Sequence, residues 1–128
     1  MAAPLLIDTD VIIDYLRGRA EAVAYLEGLQ EPLLLSAVTV AELYAGVREG
    51  DERTALEAFL AAFEVVPVDQ AIAIKGGLYR RDYGKSHSTG LADALIAATA
   101  DSRQATLVTL NAKHFPMSPN ALVPYQKP

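Results

Sequence analysis

A chain of 128 residues with 52% apolar side chains is long enough to bury the core of one domain, and without cysteine it does so without disulfides. The missing thiols exclude disulfide chemistry and Cys-ligated zinc, and two histidines, His87 and His114, are too few for a histidine-rich metal centre. A net charge of −5, from 11 basic and 16 acidic residues, argues against a DNA-coating role but not against an enzyme whose acids gather at one site.

The run LLID (5 to 8) reads as a short buried strand with Asp8 at its carboxyl end. Asp10 is placed to cap the helix that follows, since a carboxylate there accepts from free amides of the first turn, and Gly18 closes that helix. AEAVAYLEGLQ (20 to 30) is a second helical stretch, and Pro32 precedes a second buried strand, LLLSAV (33 to 38). A change of period at Thr39 predicts a helix through TVAELYAGVREG to Gly50, with a further amphipathic helix over 51 to 63. EVVPV (64 to 68) is a third strand, whose Pro67 marks a strand end or an exposed edge. DQAIAIKGGLYRRDYG (69 to 84) is a helix carrying a costly Gly76-Gly77 pair, and KSHSTG (85 to 90) is a polar loop. LADALIAATADSR (91 to 103) is the most strongly patterned helix, and ATLVTL (105 to 110) is the strand after it. NAKHF (111 to 115) is a short turn or helical segment, and ALVPY (121 to 125) adds a last edge strand.

Helices thus alternate with short apolar strands that need cover on both faces. The expected fold is a three-layer α/β/α sandwich around a mainly parallel sheet, as a single domain over residues 1 to 128. No run is long enough to span a bilayer and the N-terminus has no signal-type pattern, so a soluble, cytoplasmic protein is expected.

Open parallel sheets place their working crevice outside the carboxyl ends of the strands. Asp8 lies at such an end, and Glu42 and Asp93 each fall in the expected first turn of a helix that opens at that edge. Three carboxylates at one edge are unfavourable unless a cation compensates them, and oxygen ligands suit hard ions such as Mg2+ or Mn2+. The chemistry this points to is metal-activated attack of water on a phosphodiester. Each acid also has a plainer reading. Glu42 follows Thr39 at the spacing of a capping box, Asp93 suits a helix macrodipole, Asp10 suits a cap, Asp14 suits a solvated face or a place just behind the site acids, and Asp101 suits a solvated helix face. Asp8 is the hardest to dismiss, because a carboxylate closing a wholly apolar strand must find partners or solvent.

Taken together, LLIDTDVIIDYL, SAVTVAELYAG, LADALIAATA and ATLVTLNAKHF resemble the four sequence blocks of PIN-domain ribonucleases, and most of all the VapC group of toxins. The blocks stand in family order and cover essentially the whole chain. The resemblance implies a metal-dependent endoribonuclease, the toxin of a type II toxin–antitoxin pair, acting as a homodimer and held inactive by a cognate antitoxin. It places the metal ligands on Asp8, Glu42 and Asp93, with Mg2+ or Mn2+ as cofactor, and Thr9 on a hydroxyl position common in the family. One departure stands out. The fourth acidic position after the last core strand is Asn111, which offers an amide oxygen but no charge, and Asp10 stands where Asn or Ser is frequent. Asn111 is therefore a fourth catalytic candidate that supports a single-metal site better than a permanent pair.

Arg80, Arg81, Lys85 and His87 form the best basic cluster for RNA contact, against a plainer reading as a solvated helix end. His114 follows Lys113 close to the fourth block, and metal-activated hydrolysis needs neither histidine. Leu43, Tyr44 and Val47, with Leu56, Phe59, Leu60 and Phe63, have helical spacing that assigns most of them to the core and the rest to a partner surface. Two other readings compete. DTDVI also fits the opening motif of haloacid-dehalogenase-like phosphatases, but a late paired-aspartate motif is missing and the chain is short for that fold. A non-catalytic PIN-like module binding RNA or protein is favoured by Asn111 and opposed by the three retained acids.

Overall fold

A computed structural model describes residues 3–126. Four strands, β1 (Leu5–Ile7), β2 (Leu33–Ser36), β3 (Glu64–Val66) and β4 (Thr106–Val108), form one parallel sheet in the order β3-β2-β1-β4. Around it lie α1 (Thr9–Leu16), α2 (Ala20–Glu27), α3 (Ala37–Ala45), α4 (Asp51–Leu60), α5 (Gln70–His87) and α6 (Leu91–Ser102), and a 3-10 turn, Ala112–His114, follows β4.

Strand residues face opposite sides of the sheet in alternation, and here both sides are covered. Leu6, Leu34 and Leu107 join Ile72 of α5 and Ile96 of α6 in one core. Leu5, Ile7, Leu35 and Val108 pack with Val11 and Ile12 of α1, Leu26 of α2 and Leu56 of α4 in the other. Two covered faces explain why the strands read as unbroken apolar runs rather than alternating ones. The expected α/β/α layering is what forms, and Pro67 follows directly on an edge strand.

The sheet order positions the site. From β1 the chain adds β2 and then β3 on one side, whereas β4 returns to the other side of β1. The direction of winding therefore reverses beside β1, and the carboxyl ends of β1 and β4 flank a topological switch point, where crevices open in such sheets. The backbone continues the pairing past β1, with Asp8 N–H donating to the Val108 carbonyl at 2.9 Å.

Some elements differ from the sequence reading. Ser36 caps α3, its Oγ accepting from Val38 N–H at 3.0 Å, so the helix begins at Ala37 and ends before Gly46. Thr39 is then inside the helix rather than at its cap, the capping-box role of Glu42 falls away, and Glu42 sits in the second turn. Helix α5 continues through Lys85 to His87 and stops at Ser88 in the left-handed region (φ 55°), which shortens the polar loop to residues 88 to 90. ALVPY makes a single parallel bridge, Leu122 to Val108, instead of a strand. Asp14 is buried, with Tyr125 Oη donating to it at 2.8 Å and Arg19 3.5 Å away, so it is not a solvated residue. Asp101 likewise accepts from Tyr79 Oη and pairs with Lys75 at 3.1 Å, fastening α6 to α5.

The Leu43 to Phe63 stripe is mostly core, with Phe59 ring-to-ring contacts at 5.0 Å to both Tyr15 and Phe63. Leu43, Val47 and Leu56 also line a groove of about 580 Å³ with Ile13 and Leu16. Among the described residues no helix is long and apolar enough to cross a membrane.

The glycine pair of α5 divides into two different cases. A Cβ on Gly76 would stand 2.6 Å from Leu95 Cδ2 and 3.1 Å from Leu95 Cα, so the glycine is what lets α5 approach α6. A Cβ on Gly77 meets nothing within 4 Å. Opposite signs are expected on substitution. Gly77→Ala should raise stability by about 0.5–1 kcal/mol through helix propensity, and Gly76→Ala should lower it by roughly 1–3 kcal/mol through overpacking. Denaturant melts of the two variants read this directly, and equal effects of one sign would contradict the packing.

Candidate active site

The site begins with the way β1 ends. An apolar strand buried on both faces stops at Asp8, which is 5% exposed and caps α1 with its own carboxylate, Oδ1 accepting from Thr9 N–H at 2.8 Å. Asp8 Oδ2 accepts from Thr109 Oγ1 at 2.7 Å, a bond between residues 101 apart that spans the switch point. Thr109 Oγ1 in turn accepts from Asn111 N–H at 3.1 Å, and Thr109 N–H donates to the Leu122 carbonyl. Asp8 is therefore held on both oxygens, each of which keeps a further lone pair.

Asp10 is not the cap that its position suggested. It lies in the first turn of α1, and its Oδ2 accepts from Leu110 N–H at 3.1 Å and Asn111 Nδ2 at 2.9 Å, beyond the end of β4. Glu42 reaches the same corner from α3. Its Oε1 accepts from Thr9 Oγ1 at 2.7 Å, and Thr9 Oγ1 lies 2.9 Å from Thr39 Oγ1. A hydroxyl has one proton, so with Thr9 donating to the carboxylate, Thr39 donates to Thr9. Asp93 stands in the first turn of α6 after the Gly90 cap, with His114 Nδ1 3.8 Å from its Oδ2. His114 is placed by its backbone, whose carbonyl accepts from buried Thr89 at 2.7 Å.

Electrostatics tie three of these acids together. The Asp8 carboxyl is pushed up to about 7, by burial first, then by the charge of Asp10 and more weakly by that of Asp93, against the pull of the Thr109 and Thr9 hydrogen bonds. Carboxylates that repel at a buried oxygen-only site suit a hard divalent cation. Asp8, Asp10, Glu42 and Asp93 supply that donor chemistry. Among the described residues, however, no three acidic or histidine side chains yet enclose one ion position, and Glu42 Oε1 is engaged by Thr9. The basic cluster is less directed. Arg81 pairs with Asp82 at 2.8 Å, the Arg80 guanidinium occupies the space beside Gly84, and the His87 ring stacks edge-on to Tyr83.

Two parts of the constellation were missed in the sequence. Thr109 closes β4 as Asp8 closes β1, and a polar residue directly after an apolar strand was the available signal. The link from Asp10 to residues 110 and 111 had no local signal at all.

The parallel sheet flanked by helices agrees with the fold that the sequence resemblance implied. Residues 5 to 116 match the PIN domain family, and the chain belongs to it. It is 42% identical over 127 residues to Ribonuclease VapC10 of Mycobacterium tuberculosis, covering 97% of this chain and 95% of that protein. It is 44% identical over 125 residues to Ribonuclease VapC19 of the same organism, covering 94% and 98%. Among solved structures, a toxin–antitoxin complex from Klebsiella pneumoniae aligns with TM-score 0.84 and 30% identity over 96% of this chain and 99% of that one. FitAcB from Neisseria gonorrhoeae aligns with TM-score 0.75 and 32% identity over 94% and 97%. Family membership removes the phosphatase alternative.

The raised Asp8 carboxyl has a sign that can be checked. A carboxyl held up to about 7, above its ordinary value of 3.8, binds its proton more tightly in the folded chain. In EDTA its contribution is complete below about pH 4 and is lost as pH rises through 7. Each pKa unit corresponds to about 1.4 kcal/mol, so the loss amounts to a few kcal/mol. The melting temperature in EDTA should therefore fall between pH 5 and pH 8 more steeply than that of Asp8→Asn; parallel slopes would contradict the burial of a charge there.

Proposed function

We infer that the protein is a ribonuclease of the VapC kind and the toxin of a toxin–antitoxin pair. Near full-length identity to two proteins named ribonuclease supports the activity, and structural likeness to toxin–antitoxin complexes supports the pairing. The observation in the molecule that carries the reading is the buried Asp8 carboxylate, fastened across the β1–β4 crevice with other acids around it. The finer parts of the reading are ours: a single PIN-type domain over residues 1 to 128, endonucleolytic cleavage of RNA, dependence on Mg2+ or Mn2+, a cytoplasmic homodimer, and a cognate antitoxin as inhibitor.

In this reading Asp8, Glu42 and Asp93 hold the cation, directly or through water. A bound hard cation supplies neutralisation of the phosphate charge and acidification of a water. The protein's own groups do the rest. Thr109 and the Thr9 amide fix the Asp8 oxygens, so that their remaining lone pairs face the crevice rather than rotate. Thr9 steadies Glu42 through Oε1 and leaves Oε2 for a cation or a water proton. Glu42 is exposed, unlike Asp8, and that suits the carboxylate that exchanges a proton with solvent. His114 beside Asp93 orients that carboxylate, and Asn111 orients its neighbours by hydrogen bonding.

Purified protein, free of any partner, should cleave a mixed panel of single-stranded and structured RNAs in Mg2+ or Mn2+ and not in EDTA. Asp8→Asn and Asp93→Asn should each lose more than about 100-fold, beyond the loss typical of residues that only support a metal ligand. Cleavage that persists in EDTA, or that survives both substitutions, would contradict the reading.

A further inference from the structure

Helix α5 is longer than its packing requires. Its buried contacts lie toward its start, where Ile72 joins the core, Gly76 faces Leu95 of α6 and Tyr79 donates to Asp101. From the Gly76–Leu95 contact, α5 continues to His87, roughly 16 Å of helix, while α6 reaches back only to Leu91, roughly 6 Å. The last turns of α5 therefore project beyond the turn of α6 that carries Asp93. On that projection the His87 ring is exposed and meets Tyr83 edge-on, with centroids 5.9 Å and planes 77° apart. Its Nδ1 lies 2.8 Å from Ser86 Oγ, and an edge-on pair leaves ring faces open. Arg80 shares this face at helical spacing and folds forward over Gly84, where a Cβ would stand 2.8 Å from the Arg80 Cζ. Among the described residues Arg81 is matched by Asp82, whereas Arg80 makes no ion pair.

We propose that the projecting end of α5 is a subsite for single-stranded RNA, where one base stacks on the His87 ring and Arg80 meets a phosphate beside it. This rests on the ribonuclease reading given above. An open ring face next to an uncompensated guanidinium is the chemistry that holds an unpaired nucleotide, because every base has a face to stack and a phosphate to pair. A base inside a duplex has no such free face. The subsite is close to the acids. His87 ends α5 and Gly90 caps α6, so their Cα atoms are at most about 11 Å apart. A Cβ on Gly90 would stand 3.9 Å from Asp93 Oδ2. A base on His87 thus belongs to a nucleotide near the phosphate held at Asp93. Buried Thr89, which donates to the His114 carbonyl at 2.7 Å, anchors the short loop between the two places. Tyr83 and Ser86 position the ring, and Gly84 leaves room for Arg80 to lie along the helix toward it.

Fluorescence anisotropy in EDTA, with a short single-stranded RNA that the unaltered full chain cleaves in Mn2+, tests this by binding alone. His87→Ala should weaken binding about tenfold, and His87→Phe, which keeps a stacking face, should stay within about threefold of the unaltered protein. Arg80→Ala should weaken binding and make it less sensitive to salt. An abasic scan of the same RNA should find one position near the cleaved bond where removing the base costs the unaltered protein about tenfold and costs His87→Ala nothing more. A fully paired RNA should not distinguish His87→Ala from the unaltered protein. Unchanged affinity in His87→Ala, or the same abasic profile in both proteins, would overturn this proposal while leaving the ribonuclease reading in place. An unaltered protein that neither cleaves nor binds any RNA of the panel would overturn that reading, and the subsite with it.

Discussion

The concentration of charge in this molecule depends on the parallel pairing of β1 with β4. Those strands are about a hundred residues apart in the chain, and their register sets Leu5, Leu6 and Ile7 opposite Thr106, Leu107 and Val108. One step further along that register, Asp8 meets Thr109. Two steps further along the backbone, Asp10 meets the amides of Leu110 and Asn111. A slip of one residue would turn every apolar side chain of β1 to the wrong layer. The two cores that fix the register therefore also fix the acids, and folding energy and functional geometry have the same source.

The rest of the architecture supports that corner from outside. Tyr125 reaches back from the end of the described chain to Asp14 on α1, and Leu122 holds Thr109 by a backbone bond. Tyr79 and Lys75 on α5 grip Asp101 on α6, the helix whose first turn carries Asp93. Gly76 lets those two helices close on each other. Each device brings an acid-bearing element to the crevice without occupying the crevice itself, and the site's own acids repel one another there. Folding through hydrophobic layers tolerates such local repulsion, and that is the kind of compromise expected at a functional site.

Much of this was legible in the sequence because it rests on short-range rules. Unalternating apolar runs such as LLI and LLL report strands covered on both faces, and the acid that closes the first of them was the strongest functional signal. Local rules misled where a distant partner outweighs them. Asp10 looked like a cap, but Asp8 caps α1 and Asp10 is engaged a hundred residues away. Thr39 and Glu42 had capping-box spacing, yet Ser36 opens the helix three residues earlier, and Thr39 became part of a buried hydroxyl chain leading to Glu42. Asp101 seemed solvated, and Asp14 was open between solvent and a supporting place behind the site, because tyrosines at 79 and 125 are not visible from a helical face alone. The family resemblance compensated for some of this by placing Glu42 and Asp93 with Asp8, but it did not supply the Asp10–Asn111 bond.

The central claim is that the β1–β4 crevice, organised by Asp8, is where a divalent cation is held. Anomalous diffraction from crystals grown with Mn2+ tests it most directly. The account predicts a manganese peak in direct contact with Asp8, with the carboxylates of Glu42 on α3 and Asp93 on α6 turned toward the same ion. A manganese ion bound elsewhere, with Asp8 still held only by Thr9 and Thr109, would contradict it.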